Sequence, residues 1–194
     1  MKVKLFFATM SLFLAFTLSA QEARYEIKSG ILKRSMDMMG QKIESTVYFD
    51  DYGKVESSTM SNPMMGGEML MISKDDETIM VNLQEKQAFR IQMNQNPVNF
   101  LNLTQAAKDA NKVKELGEED VAGKKCKKYS YETSQRGQAN TVTAWVWKGI
   151  MLKQVASANG MDMTIEVTDI QENATIPADK ITIPAGITVQ EMQF

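Results

Sequence analysis

Few residues in this 194-residue chain could do chemistry, and the first of them is Cys126, set among Lys124, Lys125, Lys127 and Lys128. Flanking ammonium groups stabilise a thiolate, so one reading is a reactive or intermolecular thiol. The other, which we prefer, is a small buried hydrophobe on a strand, with the lysine heads reaching back to water. As the chain's single cysteine it has no partner for an internal disulfide. Histidine is absent, which removes Ser-His and Cys-His nucleophile pairs, histidine metal sites and a histidine pH switch. Asp50 and Asp51 lie together, but a calcium loop needs further oxygen ligands at set positions and a closing glutamate, and these are missing. Around Asp50, Asp51 and Asp120 no nucleophile–base pairing or metal spacing is visible. The expectation is a protein that is not an enzyme and uses no cofactor and no metal.

Methionine is the second signal. Of 16 in the chain, many are clustered: Met36, Met38 and Met39; Met60, Met64, Met65, Met69 and Met71; Met161 and Met163. The thioether is flexible and polarizable and adapts to variable apolar partners, whereas strand cores usually take Val, Ile and Leu. The bias fits either a plastic lining for a greasy ligand or an ordinary core in a chain that uses methionine freely.

The elements that must position these residues are strands. Residues 117–167 read as four in succession: Lys125 to Glu132, Thr141 to Lys148, Met151 to Ser157 and Met161 to Val167, joined by Gly-, Asn-, Ser- and Gln-rich turns. In the last, Met161, Met163, Ile165 and Val167 alternate with Asp162, Thr164 and Glu166, the pattern of a half-buried antiparallel strand. In the second, Trp145 and Trp147 share one face with Thr141 and Thr143, and Val142, Ala144 and Val146 share the other. A sheet with large side chains on both faces needs cover on both, or it encloses a space. Upstream, Tyr25 to Met39 reads as a long strand bent near Gly30, followed by a strand through Ile43, Val47 and Phe49, the turn Asp50-Asp51-Tyr52-Gly53, and a strand from Lys54 to about Met60. Ser61 to Gly67 is loop-like and carries Met64 and Met65. Strands are expected at Glu68 to Ser73, Thr78 to Leu83 and Gln87 to Met93, and one helix from about Pro97 to Val113. The tail, with Ile176-Pro177 and Ile183-Pro184, suits an edge strand or a wrapping segment.

Met1 to Lys4 carries two lysines, Leu5 to Leu18 is mostly apolar, and Ser19-Ala20 ends the run, which is the layout of a secretory signal peptide. Residues 1–20 are thus expected to be removed, leaving 21–194 as one exported domain with 20 basic and 24 acidic side chains and a net charge of −4. That surface lacks the basic excess of a nucleic-acid binder.

A signal peptide, a long bent strand, YFDDYGK, a mid-chain helix, the unit AGKKCKKYSYE, then TVTAWVWK and an IMLKQ strand together resemble the LolA/LolB-like superfamily of periplasmic lipoprotein carriers and receptors, in the form of small exported proteins of Bacteroidetes-type bacteria. The resemblance covers about Tyr25 to Val167. It implies a mainly β (α+β) fold: a strongly curved antiparallel sheet forming a half-open barrel, with a helical lid over an apolar cavity that in the family shelters acyl chains. Carriers of the family hold the lid with an arginine near the start of the sheet, and Arg34 is the one arginine here in a comparable strand. Taken with the residues, this leads us to expect a periplasmic or secreted monomer binding a hydrophobic ligand or an acylated protein, with peripheral contact to the envelope membrane. Tyr129, Trp145, Trp147, Met161, Met163 and Ile165 are the candidate cavity lining. The alternative is an envelope interaction module that meets a protein partner through Met64 and Met65.

Overall fold

A computed structural model of the chain describes residues 22–38, 40–62, 67–74, 77–91, 98–135, 138–158 and 161–191. Twelve strands form one sheet: β1 (Gly30–Met38), β2 (Gln41–Asp50), β3 (Val55–Asn62), β4 (Gly67–Lys74), β5 (Glu77–Asn82), β6 (Gln87–Ile91), β7 (Lys114–Val121), β8 (Lys124–Gln135), β9 (Gln138–Trp147), β10 (Ile150–Ala158), β11 (Met161–Glu172) and β12 (Val189–Glu191). Their spatial order is β12-β6-β5-β4-β3-β2-β1-β11-β10-β9-β8-β7. Neighbours pair antiparallel except the short β12, which lies parallel to β6. The first strand meets the eleventh, so two meanders fuse through β1 into one sheet with free edges at β12 and β7. It does not close, as the half-open barrel requires.

Two-residue hairpins do much of the joining. Ala122 and Gly123 between β7 and β8, and Lys148 and Gly149 between β9 and β10, all have positive φ. Such turns match the right-handed twist of the flanking strands. The long strand expected from Tyr25 begins only at Gly30, and its irregularity is a register shift at Lys33/Arg34 against β11.

The curvature follows from which side chains meet. Arg34 on β1, Glu56 on β3 and Met151 on β10 line one recess. On a flat sheet β3 and β10, four strand spacings apart, would stand about 19 Å from each other. The sheet therefore curls around the face these residues share. Its opposite, outer face is covered by the tail: Ile183, Ile187 and Val189 pack on Leu70, Ile72, Val81 and Ala88, and the Ser57 hydroxyl donates to the Lys180 carbonyl over 2.5 Å. This is the wrapping role expected of the proline-bearing tail. A strap from Arg24 to Lys28 crosses one rim. The Tyr52 carbonyl accepts from the Arg24 and Tyr25 amides, and the Lys148 carbonyl accepts from the Glu26 amide.

Two expectations need correction. The helix is α1 (Gln105–Ala110), six residues with none buried, and not a span from Pro97 to Val113; Pro97 itself lies outside the described residues. Asn99 explains the late start. Its side-chain oxygen accepts from the Leu101 and Asn102 amides, a local turn that competes with the helical ladder, and Thr104 then caps the first turn through the Ala107 amide. A helical lid is therefore absent among the described residues; the cover is the irregular run before α1, through Val98, Phe100 and Leu103, together with Val113. Secondly, β7 was not anticipated. Its side chains are exposed but for Val121, so it carries no apolar period, and it is held by main-chain pairing to β8 and by ion pairs such as Glu118–Lys125 and Glu119–Lys128.

Candidate functional site

Cross-strand register sorts the side chains by face, because directly paired residues point the same way. One row runs Tyr129–Ala144–Gln154–Ile165–Met36–Ile43 across β8, β9, β10, β11, β1 and β2. Beside it run Arg34–Ser45–Met60–Met69–Asn82 and Val47–Ser58–Met71–Met80–Phe89. Met163, paired with Ala156, and Met151, paired with Val146, belong to the same face. It is the face that lines the recess, hence the inside of the curl. Seven described methionines thus converge on it: Met36, Met60, Met69, Met71, Met80, Met151 and Met163. Only Met69 among them is buried; the rest, with Ile43, Phe89 and Ile165, are partly exposed. The result is an open trough of adaptable apolar side chains on the concave side.

At one end the trough is roofed. Val98, Phe100, Leu103 and Val113 pack on Tyr129, Tyr131, Val142, Ala144 and Val146. The Phe100 ring lies 5.1 Å from Tyr129 and meets Tyr131 edge-on at 5.7 Å, contacts worth about 1 kcal/mol each beyond their buried area. Burial raises the pKa of both tyrosines, so each stays an uncharged donor across the physiological range.

Under the rim strap lies a small polar recess of about 80 Å³, lined by Arg24, Tyr25, Arg34, Glu56, Val98, Asn99, Phe100, Gly149 and Met151. The Tyr25 hydroxyl donates to Glu56 Oε2 over 2.5 Å. Burial, and then the Glu56 charge, push the Tyr25 pKa well above its ordinary value. Arg34 Nη1 stands 3.9 Å from Glu56 Oε1. Arg34 thus faces Glu56, beside the covering run, and not a lid helix. A second recess, open and of about 310 Å³, lies over β1 to β4 and is lined mainly by outer-face side chains, Lys33, Glu44, Thr46, Thr59, Ser61 and Glu68, with Ser45 and Met60. Its charge suits no apolar ligand.

The sequence-derived candidates divide between the faces. Tyr129, Met163 and Ile165 belong to the concave one, Tyr129 under the roof and the other two in the open trough. Trp145 and Trp147 lie opposite, Trp145 in register with Lys128 and Lys153 and Trp147 with Ile150. Lys128 and Lys153 stand 4.6 and 5.5 Å from the Trp145 ring centre, and Lys124 and Lys148 each stand 4.6 Å from that of Trp147. Carboxylates complete the ladder: Glu119 with Lys128, Glu166 with Lys153, and Glu172 with Lys124 and Lys148. The indoles are capped by lysine ammonium groups and stand away from the trough. The Met161 side chain, and all of Met64 and Met65, lie outside the described residues.

Cys126 is fully buried, its thiol directed to the Lys124 carbonyl at 3.4 Å, and burial pushes its pKa up. Lys124, Lys125 and Lys128 point at carboxylates and rings instead. In the folded protein the thiol should react with an aromatic disulfide reagent at least about 100-fold more slowly than in denaturant. Comparable rates in the two conditions would contradict this burial.

Sequence reasoning singled out Arg34 but missed Glu56 beside it, and missed Phe100. The methionines carried a signal: the spacings Met36/Met38, Met69/Met71 and Met161/Met163 put each pair on one face of its strand, but only register shows that the described members share one face.

Comparison with known proteins agrees with this architecture. An uncharacterized conserved protein from Thermus thermophilus superposes with a TM-score of 0.60 at 11% identity, over 87% of this chain and 95% of that one. The structure of the Pseudomonas aeruginosa MucA/MucB complex matches with a TM-score of 0.56 at 14% identity, over 87% of this chain but 59% of the other. A LolA superfamily protein from Nitrosomonas europaea matches with a TM-score of only 0.41 at 9% identity, over 82% of this chain and 92% of that one, and carries no weight for the fold. At these identities the likeness is one of fold. No curated protein matches the chain by sequence. A family model described as a domain of unknown function (DUF4412) matches residues 29–152, from just before β1 into β10, and the chain belongs to that family.

Proposed function

We propose that this chain is a non-enzymatic protein of the cell envelope, exported after loss of residues 1–20, that binds a hydrophobic ligand on the concave face of its sheet. The ligand class is a lipid or an acyl chain, including one carried by a lipoprotein. The observation that carries this reading is the convergence of Met36, Met60, Met71, Met80 and Met163 with Ile43, Phe89 and Ile165 on the inside of the curl, partly open to water. Leaving apolar surface wet forgoes about 25 cal/mol per Å², and contiguous patches of it mark binding sites. Pockets for drug-sized ligands take roughly 300–1,000 Å³. The recess of about 80 Å³ is too small for an acyl chain, and the open trough offers the length. The protein works as a monomer that meets the membrane peripherally to load or release its ligand.

The test is uptake of a fluorescent fatty acid by the purified protein, joined to solvent extraction and mass spectrometry of protein taken from cells. Saturable uptake and co-purified lipid are expected. A lipid-free extract together with no uptake would end this reading.

A second reading puts a protein segment on Met60 and the residues that follow β3, with Met64 and Met65 as contacts. What favours it is the partly exposed Met60 at the end of the trough, and a fold neighbour, MucB, solved together with MucA. Deleting Met64 and Met65 would then abolish capture of the partner and leave fatty-acid uptake intact.

A further inference from the structure

The recess under the rim strap is built for a charge that its own residues do not supply. Arg24 and Arg34 bring two guanidinium groups to it and Glu56 one carboxylate, so the recess carries one net positive charge. Glu56 is already engaged by the Tyr25 hydroxyl at 2.5 Å, and its approach to Arg34, at 3.9 Å, is too long for a hydrogen bond. Arg34 Nε is buried and makes no hydrogen bond. A guanidinium offers five N–H donors in a planar fork, and a buried donor left without an acceptor costs free energy. The Arg24 guanidinium, 5.6 Å from the Tyr25 ring centre, stands at the same opening. One wall of the recess is apolar, made by Val98, Phe100 and Met151, and Met151 also belongs to the concave face. The recess thus shares the Met151 side chain with the concave face on which the other methionines lie.

We infer that this recess is a head-group site for a single-chain amphiphile ending in a carboxylate, bound with its head at Arg34 and Arg24 and its tail along the methionines. This rests on the trough's taking an apolar ligand. Arginine is suited to a carboxylate because its fork matches the two oxygens. Size argues for the same class. About 80 Å³ holds a carboxylate, as two or three water molecules at roughly 30 Å³ each would fill it, but not a phosphorylated sugar.

The experiment measures displacement of a neutral fluorescent probe, N-phenyl-1-naphthylamine, from the purified protein by palmitate and by 1-hexadecanol at pH 8. The two have equal tails and differ in head charge. We expect palmitate to bind at least about tenfold more tightly, the worth of one charge-assisted hydrogen bond. Arg34→Gln should reduce that ratio to about one. Arg24→Gln, a change on the strap that tests the idea even should the Arg34 variant not fold, should reduce it severalfold. Glu56→Gln should raise it, because the competing carboxylate is gone. Equal binding of the two ligands by the unaltered protein, or an unchanged ratio in a folded Arg34→Gln or Arg24→Gln variant, overturns the head-group site and leaves the trough standing. Displacement by neither ligand overturns both.

Discussion

Met71→Asp is expected to reduce fatty-acid uptake more than 100-fold while leaving the protein folded. Met71 pairs directly with Met80 in the middle of the trough, with Ser58 on its other side. A carboxylate there must either lose its water against an acyl chain or hold the chain off, and an unpaired charge against an apolar ligand costs several kcal/mol. The free protein feels little of this, because the Met71 side chain is partly exposed and its replacement remains in contact with water; its stability should change by no more than about 1–2 kcal/mol. Met80→Asp should behave alike. Lys42→Asp, exposed and on the outer face, should leave uptake unchanged. Uptake of equal strength in all three variants would mean that the ligand lies elsewhere.

Gly149→Ala is expected to be the most damaging small substitution, lowering stability by about 3 kcal/mol in a denaturant titration. Two costs combine. Gly149 has φ of +82°, in the second position of the β9–β10 hairpin, where an L-residue is strained by about 1–2 kcal/mol. A Cβ there would also collide with the Arg24 carbonyl oxygen, which is backbone and is fixed by the strap's bonds to Tyr52 and Lys148. Overpacking of that kind costs typically about 1–3 kcal/mol. Relief requires the strap to lift, which would also open the recess at Arg34. The control is Gly123→Ala: φ is +70° in the equivalent hairpin, but nothing lies within 4 Å of the new methyl group, so only the conformational cost remains. Equal losses at the two sites would show that the strap is not packed where Gly149 meets it.

What could be read from the residues alone was set by local pattern. The four strands after Gly123 were legible because turn chemistry separates them and two of them show period-two faces, although β11 runs on to Glu172, beyond the expected end at Val167. The proline-bearing tail was legible as a wrapping segment because proline cannot donate to a ladder. The seventh strand was not, since KELGEEDV shows charge in place of period. Its signal was the acidic run facing KKCKK across a two-residue turn, a pattern visible only when both strands are considered as a pair. The helix was placed too widely because proline before and glycine after a segment mark its limits, while Asn99 ties the intervening chain into a turn. Sidedness was the deepest gap. Alternation placed Trp145 opposite Val146 correctly, but it does not say which face of a curling sheet is inside. That depends on register through six strands and on contacts between distant residues, such as Tyr25 with Glu56.

The central claim is that the methionine-lined concave face is where an apolar ligand lies. Methyl NMR of protein labelled at methionine, titrated with palmitate, tests it most directly, with resonances assigned by single Met→Leu replacement. The account predicts that the methyl signals of Met36, Met60, Met71, Met80 and Met163 shift together along one saturable curve. Ile183 and Ile187, labelled in parallel under the outer face, should stay still. Shifts confined to the outer face, or methionine signals unmoved while palmitate binds, would contradict it.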